Sequence, residues 1–285
     1  MLENLPSLKA TINAYGLAAR KNLGQHFLLD EGLCSRIAAF AGPMAGVHAV
    51  EIGPGPGGLT RALCRAHPES LTVIEMDERC VAALDLLKGP MGGRLHVIQG
   101  DALKVSLPET VLFPRKIVAN LPYNVGTLML VNWLHDIARL GPAAYQSLTL
   151  MFQKEVAERI VAEHGNKDYG RLSVLAQFLC ECRWDLDLPP GAFSPPPKVA
   201  SAVVTLTPRQ KPLAEVSVEN LELVVGKAFG QRRKMLRGAL KGLAVEPELL
   251  LSQAGIEGTA RAEQLDVPTL CHLAKTYETL LARPR

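Results

Sequence analysis

A short β-rich run at residues 48–52 opens directly into Gly53-Pro54-Gly55-Pro56-Gly57-Gly58, followed by a helix-like pattern at 59–66. Few architectures place so many glycines at one strand end. Glycine there permits a tight turn and lets a ligand lie against the backbone. Gly53, Gly55 and Gly58 formally satisfy G-x-G-x-x-G, a spacing that dinucleotide enzymes also use. A purely structural strand-to-helix turn is the plainer alternative.

The strand–loop–helix pattern recurs along the chain. Strand candidates lie at 48–52, 71–75, 95–99, 116–119, 147–152, 180–186 and 200–206. The first four lack apolar–polar alternation, as expected of parallel strands covered on both faces. Helical patterns such as 59–66 and 80–87 separate them. The alternation predicts an α/β fold with a doubly wound parallel sheet. After residue 206 the character changes. Thr207-Pro208-Arg209-Gln210-Lys211-Pro212 reads as a linker, and 219–229, 231–243, 246–254 and 267–282 read as helices punctuated by glycines. The expected division is an α/β domain over 1–208 and a small all-helical domain over 209–285.

The strand ends carry the chemistry. Glu75 closes the second strand, where a carboxylate can accept both hydrogens of a ribose diol. Asp101 closes the third, where it can accept from an exocyclic adenine amine. Each could instead cap the next helix. Three successive strand ends bearing a glycine loop, a Glu and an Asp favour a bound adenosine. The fourth strand ends in Asn120-Leu121-Pro122-Tyr123. An adenine amine is a poor nucleophile because its lone pair is delocalised into the ring. Two acceptors holding its N–H groups let the nitrogen pyramidalise toward an electrophile. The Asn120 side-chain oxygen and the Leu121 carbonyl can supply them. Pro122 fixes the turn, and Tyr123 can stack on the base. The Pro-rich loop 190–198 could present Phe193 to the opposite face of the base; the alternative is Phe193 tucked into the core.

Charge is concentrated. The 31 Lys and Arg exceed the 28 Asp and Glu by three. Yet residues 227–241 hold Lys227, Arg232, Arg233, Lys234, Arg237 and Lys241 and no acid; without that window acids outnumber bases. Such a patch points to an anionic partner, with a solvated helix face as the bland alternative. As a helix it would align Arg233, Arg237 and Lys241 on one face, with Phe229, Leu236, Leu240 and Leu243 inward. The longest uncharged run, 117–135, contains Asn120, Pro122, Asn124 and Asn132, so no membrane span is expected. Glu3, Asn4 and Pro6 precede any apolar stretch, so no signal peptide is expected. Six scattered cysteines without C-x-x-C, and histidines without ligand spacing, predict reduced, mostly buried thiols, a cytoplasmic protein and no metal site.

Taken in order, these motifs resemble the KsgA/RsmA family of ribosomal RNA adenine dimethyltransferases. The resemblance runs from Lys21-x-x-Gly24-Gln25-His26-Phe27-Leu28 through Glu51-Ile52-Gly53-Pro54-Gly55, Glu75-x-Asp77, Asp101-Ala102 and Asn120-Leu121-Pro122-Tyr123. It continues through Gln153-Lys154-Glu155-Val156, Tyr169-Gly170-Arg171-Leu172-Ser173 and the stretch 193–203 to Arg261-Ala262-Glu263-Gln264-Leu265. It implies a Rossmann-like S-adenosylmethionine methyltransferase sheet with a helical C-terminal domain. It implies cofactor contacts at His26, Leu28, Gly53, Glu75, Asp101 and Asn120, to which the glycine loop adds Gly55. Target-adenine contacts fall on Asn120, Leu121, Tyr123 and Phe193. The implied reaction dimethylates two adjacent adenosines near the 3′ end of 16S rRNA, late in assembly of the 30S subunit. Arg232, Arg233, Lys234, Arg237 and Lys241 become RNA-binding candidates, and a monomer is expected. This sequence has His26 where the family more often has Asn, and Ala200 where it commonly has Asp.

Three other functions meet some of these features. A large-subunit rRNA adenine methyltransferase would share the pocket, but the Phe193 loop and extended C-terminal part argue against it. An NAD-dependent dehydrogenase would explain the glycine loop and Glu75 but not Asn120-Leu121-Pro122-Tyr123. A non-catalytic assembly factor or nucleic-acid-binding protein could merely retain the pocket, but every motif residue with a chemical role is present, so activity is expected.

Overall fold

A computed structural model describes residues 5–19 and 25–282. Glu3, Asn4 and the Lys21-to-Gly24 part of the first motif lie outside the described residues. The strands are β1 (Phe27–Leu28), β2 (His48–Ile52), β3 (Ser70–Glu75), β4 (Leu95–Gln99), β5 (Arg115–Asn120), β6 (Ser147–Gln153), β7 (Cys180–Leu188), β8 (Phe193–Ser194) and β9 (Ser201–Pro208). All seven anticipated strands are present. β1 and β8 are additional, and at two residues each they are too short to leave a periodicity signal.

Seven strands form one sheet in the order β4-β3-β2-β5-β6-β9-β7. β4, β3, β2, β5 and β6 are mutually parallel, and β9 pairs antiparallel with β6. β2, β3 and β5 are almost entirely buried, as their continuous apolar character requires. β4 departs from that expectation: it is the edge strand and is half exposed. From β2 the chain winds outward through β3 to β4, then crosses to β5 on the other side. That reversal opens a crevice between the C-terminal ends of β2 and β5, where open α/β sheets bind ligands. Leu59, Leu63, Leu71, Val73, Leu84 and Ile37 pack in the main core.

The chain divides into two compact units, Met1–Ala157 with Arg183–Pro208, and Glu158–Cys182 with Arg209–Arg285. The second therefore takes in a segment that the sequence pattern assigns to the α/β domain. The reason is packing. The helix Arg171–Leu179 buries Val174, Leu175, Ala176 and Phe178, and lies against the helices Val218–Gly230 and Val267–Leu281. Ser217 and Asp266 cap those two helices through Asn220 N–H and Thr269 N–H.

The basic window is not the long helix that its spacing suggests. The helix Val218–Gly230 ends, residues 231–235 form a turn, and only Leu236–Ala239 is helical. Three consecutive cations at 232–234 repel one another, and Met235 is extended. The Leu236 and Arg237 N–H groups donate to the Ala260 and Gly258 carbonyls, so tertiary backbone bonds replace helical ones. Leu236 and Leu240 are buried as expected, while Phe229 and Leu243 are only partly buried.

Candidate active site

The first unit contains a cavity of about 290 Å³ at the C-terminal ends of the parallel strands. His26, Leu28, Gly53, Gly55, Glu75, Asp101, Asn120, Leu121 and Tyr123 all border it. The parallel register brings the strand ends from Gly53 to Tyr123 together, and the arm that carries β1 adds His26 and Leu28.

The glycine loop has the expected need for glycine. Gly55 sits at φ +55°, and a Cβ there would lie 2.9 Å from the Phe27 ring. A Cβ on Gly58 would collide with the Leu28 carbonyl oxygen. Both contacts bring β1 down onto the loop, so loop and N-terminal arm form one wall.

Glu75 is held by three backbone donors. Its Oε2 accepts from Gly55 N–H at 3.0 Å, and its Oε1 from Met76 and Asp77 N–H at 2.8 and 2.9 Å. Burial pushes its pKa up, opposed by those donors. Asp101 takes the capping role weighed for it, its Oδ1 accepting from Leu103 N–H 3.0 Å away, and the residue also borders the cavity.

Asn120 donates from Nδ2 to the His26 carbonyl at 3.0 Å, which leaves Oδ1 as the acceptor end of the amide. The next turn closes on Pro122, whose carbonyl accepts from Val125 and Gly126 N–H, and not on Leu121. Tyr123 shares a hydrogen bond with the Ser201 hydroxyl at 2.6 Å, and its ring stacks on His26 at 5.4 Å between centroids. The His26 Nδ1 donates to the Pro195 carbonyl at 2.8 Å. One connected set of contacts therefore orients Asn120, His26 and Tyr123.

Phe193 does not take the place expected of it. β8 pairs antiparallel with β1, Leu28 opposite Phe193, and the Phe193 side chain is 4% exposed within the core cluster that includes Leu28. The alternative weighed for this loop, a Phe tucked into the core, is what the fold presents. The Pro-rich segment instead anchors the arm that carries His26.

Two further residues, to which the sequence motifs assign no role, border the cavity. Met76 is 59% exposed beside Glu75 and borders the cavity; its signal is an apolar residue just past a strand end. Glu51 lies on β2, is 2% exposed, and has an Oε2 without a hydrogen-bond partner. Its signal is an acid inside an otherwise apolar strand.

In the second unit, Arg232, Arg233, Lys234, Arg237 and Lys241 are all exposed. Arg232 donates to the Asn166 carbonyl at 3.0 Å, and Phe229 packs edge-on against Tyr169. A cavity of about 340 Å³ there is bordered by Arg159, Lys167, Arg171 and Arg232, with one acid, Asp168, among them. The basic surface is thus wider than the sequence window, because 158–182 contributes bases from a separate stretch of chain. Among the described residues, five of the six cysteines are buried, no metal-binding cluster forms, and no helix is long and apolar enough to cross a membrane.

Comparison with known proteins converges on one family. The model of the ribosomal RNA adenine dimethylase family matches residues 16–279. The ribosomal RNA small subunit methyltransferase A of Ruegeria sp. (strain TM1040) is 51% identical over 97% of this chain and 98% of its own length. Among solved structures, a dimethyladenosine transferase from Plasmodium falciparum superposes with a TM-score of 0.73 at 24% identity, over 87% of this chain and 96% of that one. The 23S rRNA methyltransferase ErmE superposes with a TM-score of 0.66 at 27% identity, over 88% of this chain and 99% of that one. The fold is the Rossmann-like methyltransferase sheet with a C-terminal helical part, and the chain belongs to the ribosomal RNA adenine dimethylase family.

Proposed function

We propose that this chain is an S-adenosylmethionine-dependent enzyme that dimethylates N6 of two adjacent adenosines in the 3′-terminal hairpin loop of 16S rRNA. Its substrate is a late precursor of the 30S subunit, and it acts in the cytoplasm as a monomer. The observation that carries this reading is the fixed Asn120 amide. With Nδ2 committed to the His26 carbonyl, Oδ1 is left as the acceptor for an adenine amine, next to the Leu121 carbonyl. That pairing has no use in hydride transfer.

The cavity suits the cofactor. Gly53 and Gly55 keep one wall free of side chains, Glu75 offers a buried carboxylate for a ribose diol, and the orphan oxygen of Glu51 lacks a positive partner. When bound, S-adenosylmethionine supplies an electrophilic methyl group on a sulfonium. The protein's part is positioning, which contributes up to ~7–11 kcal/mol when two reactants are held in line. Asn120 and Leu121 hold the amine, and the half-buried Tyr123 offers the open ring face to the base. No strong base is needed, because the methylated nitrogen is cationic and sheds its proton readily. Arg232, Arg233, Lys234, Arg237 and Lys241, with Arg159, Lys167 and Arg171, would meet rRNA phosphates, which confers affinity and register more than sequence choice.

Incubation with labelled S-adenosylmethionine and undermethylated 30S subunits tests the reading. Dimethyladenosine with the wild-type chain, formed about 10²–10³ more slowly with Asn120→Ala, is the expected result. Label in neither sample overturns it. The likeness to ErmE makes 23S rRNA the competing substrate; preferential labelling of large-subunit rRNA would favour that second reading.

A further inference from the structure

The Glu75-x-Asp77 motif carries two carboxyls, of which Glu75 borders the cavity and Asp77 does not. Asp77 is nonetheless buried, at 4% exposed. Its N–H donates to Glu75 Oε1 at 2.9 Å, while its own carboxyl serves the N-terminal arm. Arg79 holds that carboxyl with two bonds, Nε to Oδ1 at 3.0 Å and Nη2 to Oδ2 at 2.6 Å. The same guanidinium reaches the arm: Nη1 donates to the Gly16 carbonyl at 2.8 Å, and Nη2 lies 3.5 Å from the Ala18 carbonyl. The Gln25 side chain also hydrogen-bonds to the Asp77 carboxyl. Gln25 precedes His26, whose carbonyl accepts from Asn120, and the four residues 25–28 all border the cavity. Two stretches of the arm thus converge on one buried carboxylate.

Helix capping alone does not account for this arrangement. Asp77 caps the helix Glu78–Leu84 through the Arg79 N–H at 3.1 Å. A cap requires one acceptor, which asparagine or serine supplies about as well as aspartate. It requires neither a buried charge nor an arginine bound at two points. Burying a carboxylate is costly unless it is paired and hydrogen-bonded. Here the Arg79 guanidinium keeps the Asp77 carboxyl below the usual carboxylate range, so the pair is ionic. Nor does the arm need this pair in order to fold. Arg61 donates to the Pro6 carbonyl and the Thr11 hydroxyl, and Leu17 packs with Cys80 and Ala83. What the pair adds is placement of the residues that follow.

We propose that Asp77 is a positioning residue for the cofactor: acting through Arg79 and Gln25, it fixes residues 25–28 against the cavity and so sets how long the cofactor is retained. The inference rests on the cofactor reading above. Dissociation of S-adenosylhomocysteine, followed by stopped flow in two variants of the full chain, tests it. Asp77→Asn keeps the cap and the shape but removes the charge. Arg79→Lys keeps the charge balance but lacks the planar fork that reaches the carboxylate and the arm carbonyls together.

Each variant should speed dissociation about tenfold, the low end of what a charge-assisted bond contributes, with the association rate little changed. Amide exchange locates the effect. The amides of β1, which pairs with β8, should exchange faster, while β2 and β3 keep wild-type protection. Dissociation at the wild-type rate in both variants overturns the proposal. So does fast dissociation from Asp77→Asn alone, which would leave the Arg79 bridge without a part. Equal loss of protection in β1 and β2 overturns it as well, because Asp77 would then support the fold in general. Should Asp77→Asn fail to fold, Arg79→Lys decides alone. Binding with unaltered dissociation removes only this inference; a wild-type chain that does not bind S-adenosylhomocysteine removes the cofactor reading too.

Discussion

The two units treat their functional side chains in opposite ways. In the first, Asn120, His26 and Tyr123 are tied to one another, to Pro195 and to Ser201 through bonds of 2.6–3.0 Å. In the second, Arg233, Lys234, Arg237 and Lys241 stand in solvent on a turn and a single helical turn. On the proposed function, the difference follows from the work each would do. Methyl transfer needs two acceptors placed to within a fraction of an ångström, so their rotamers are locked by neighbours. Phosphate binding needs charge at moderate range, and a flexible cation loses little by being loose. Changes in the first unit should therefore act on rate, and changes in the second on affinity.

The largest test of that contrast is Asn120→Ala. Losing one positioned polar group at a reacting centre typically costs about 10²–10³ in kcat. Single-turnover methylation of undermethylated 30S subunits should slow by that factor while binding of the subunit stays near wild type. A loss confined to binding would mean that Asn120 holds the arm in place and does not touch the reacting amine.

Charge reversal in the second unit should do the converse. Arg233→Glu with Lys234→Glu should weaken subunit binding, and the logarithmic salt slope should become shallower by roughly 1 for each phosphate no longer neutralised. Methylation at saturating subunit should be unchanged. An unmoved slope would show that these residues face solvent in the complex. Arg232 is a poorer choice, because it also holds the Asn166 carbonyl.

The contrast also marks what the sequence disclosed. Glycine spacing, Glu75 and Asn120-Leu121-Pro122-Tyr123 are legible because each sits at a strand end, and strand ends of a parallel sheet converge by geometry. The basic turn reads as a helix because Arg233, Arg237 and Lys241 have helical spacing; the backbone bonds to Gly258 and Ala260 that unwind it come from residues about twenty positions away. The placement of 158–182 is invisible for the same reason. Its apolar face is written in the sequence, but the helices that cover it are not. The second role of the Pro-rich loop, pairing β8 with β1, depends on two-residue strands that carry no period.

A smaller effect is expected from Tyr123→Phe. The ring, and with it any stacking on the base, is kept; the hydroxyl shared with Ser201 is removed. Leaving the buried Ser201 unpaired costs about 1–3 kcal/mol of stability. Denaturant unfolding should register that cost, and the methylation rate should stay within a few-fold of wild type. A hundredfold slower rate would place the hydroxyl in the chemistry and the ring in second place.

The smallest effect separates the two accounts of Phe193. In the core, a change to Leu keeps the site apolar but removes part of the ring volume, at a cost of about 1–2 kcal/mol. Phe193→Leu should therefore lower stability by that amount and leave kcat/KM for the subunit unchanged, because the residue faces Leu28 and not the cavity. A ring that stacks on the flipped adenine predicts otherwise, since base–aromatic stacking is worth about 1–3 kcal/mol. Its removal would reduce kcat/KM by a factor of roughly 5 to 160 with little change in stability. Leucine fills most of the place of a core phenylalanine but offers no π face to a base. Unequal effects of the variant on stability and on turnover would thus say which of the two surfaces Phe193 serves.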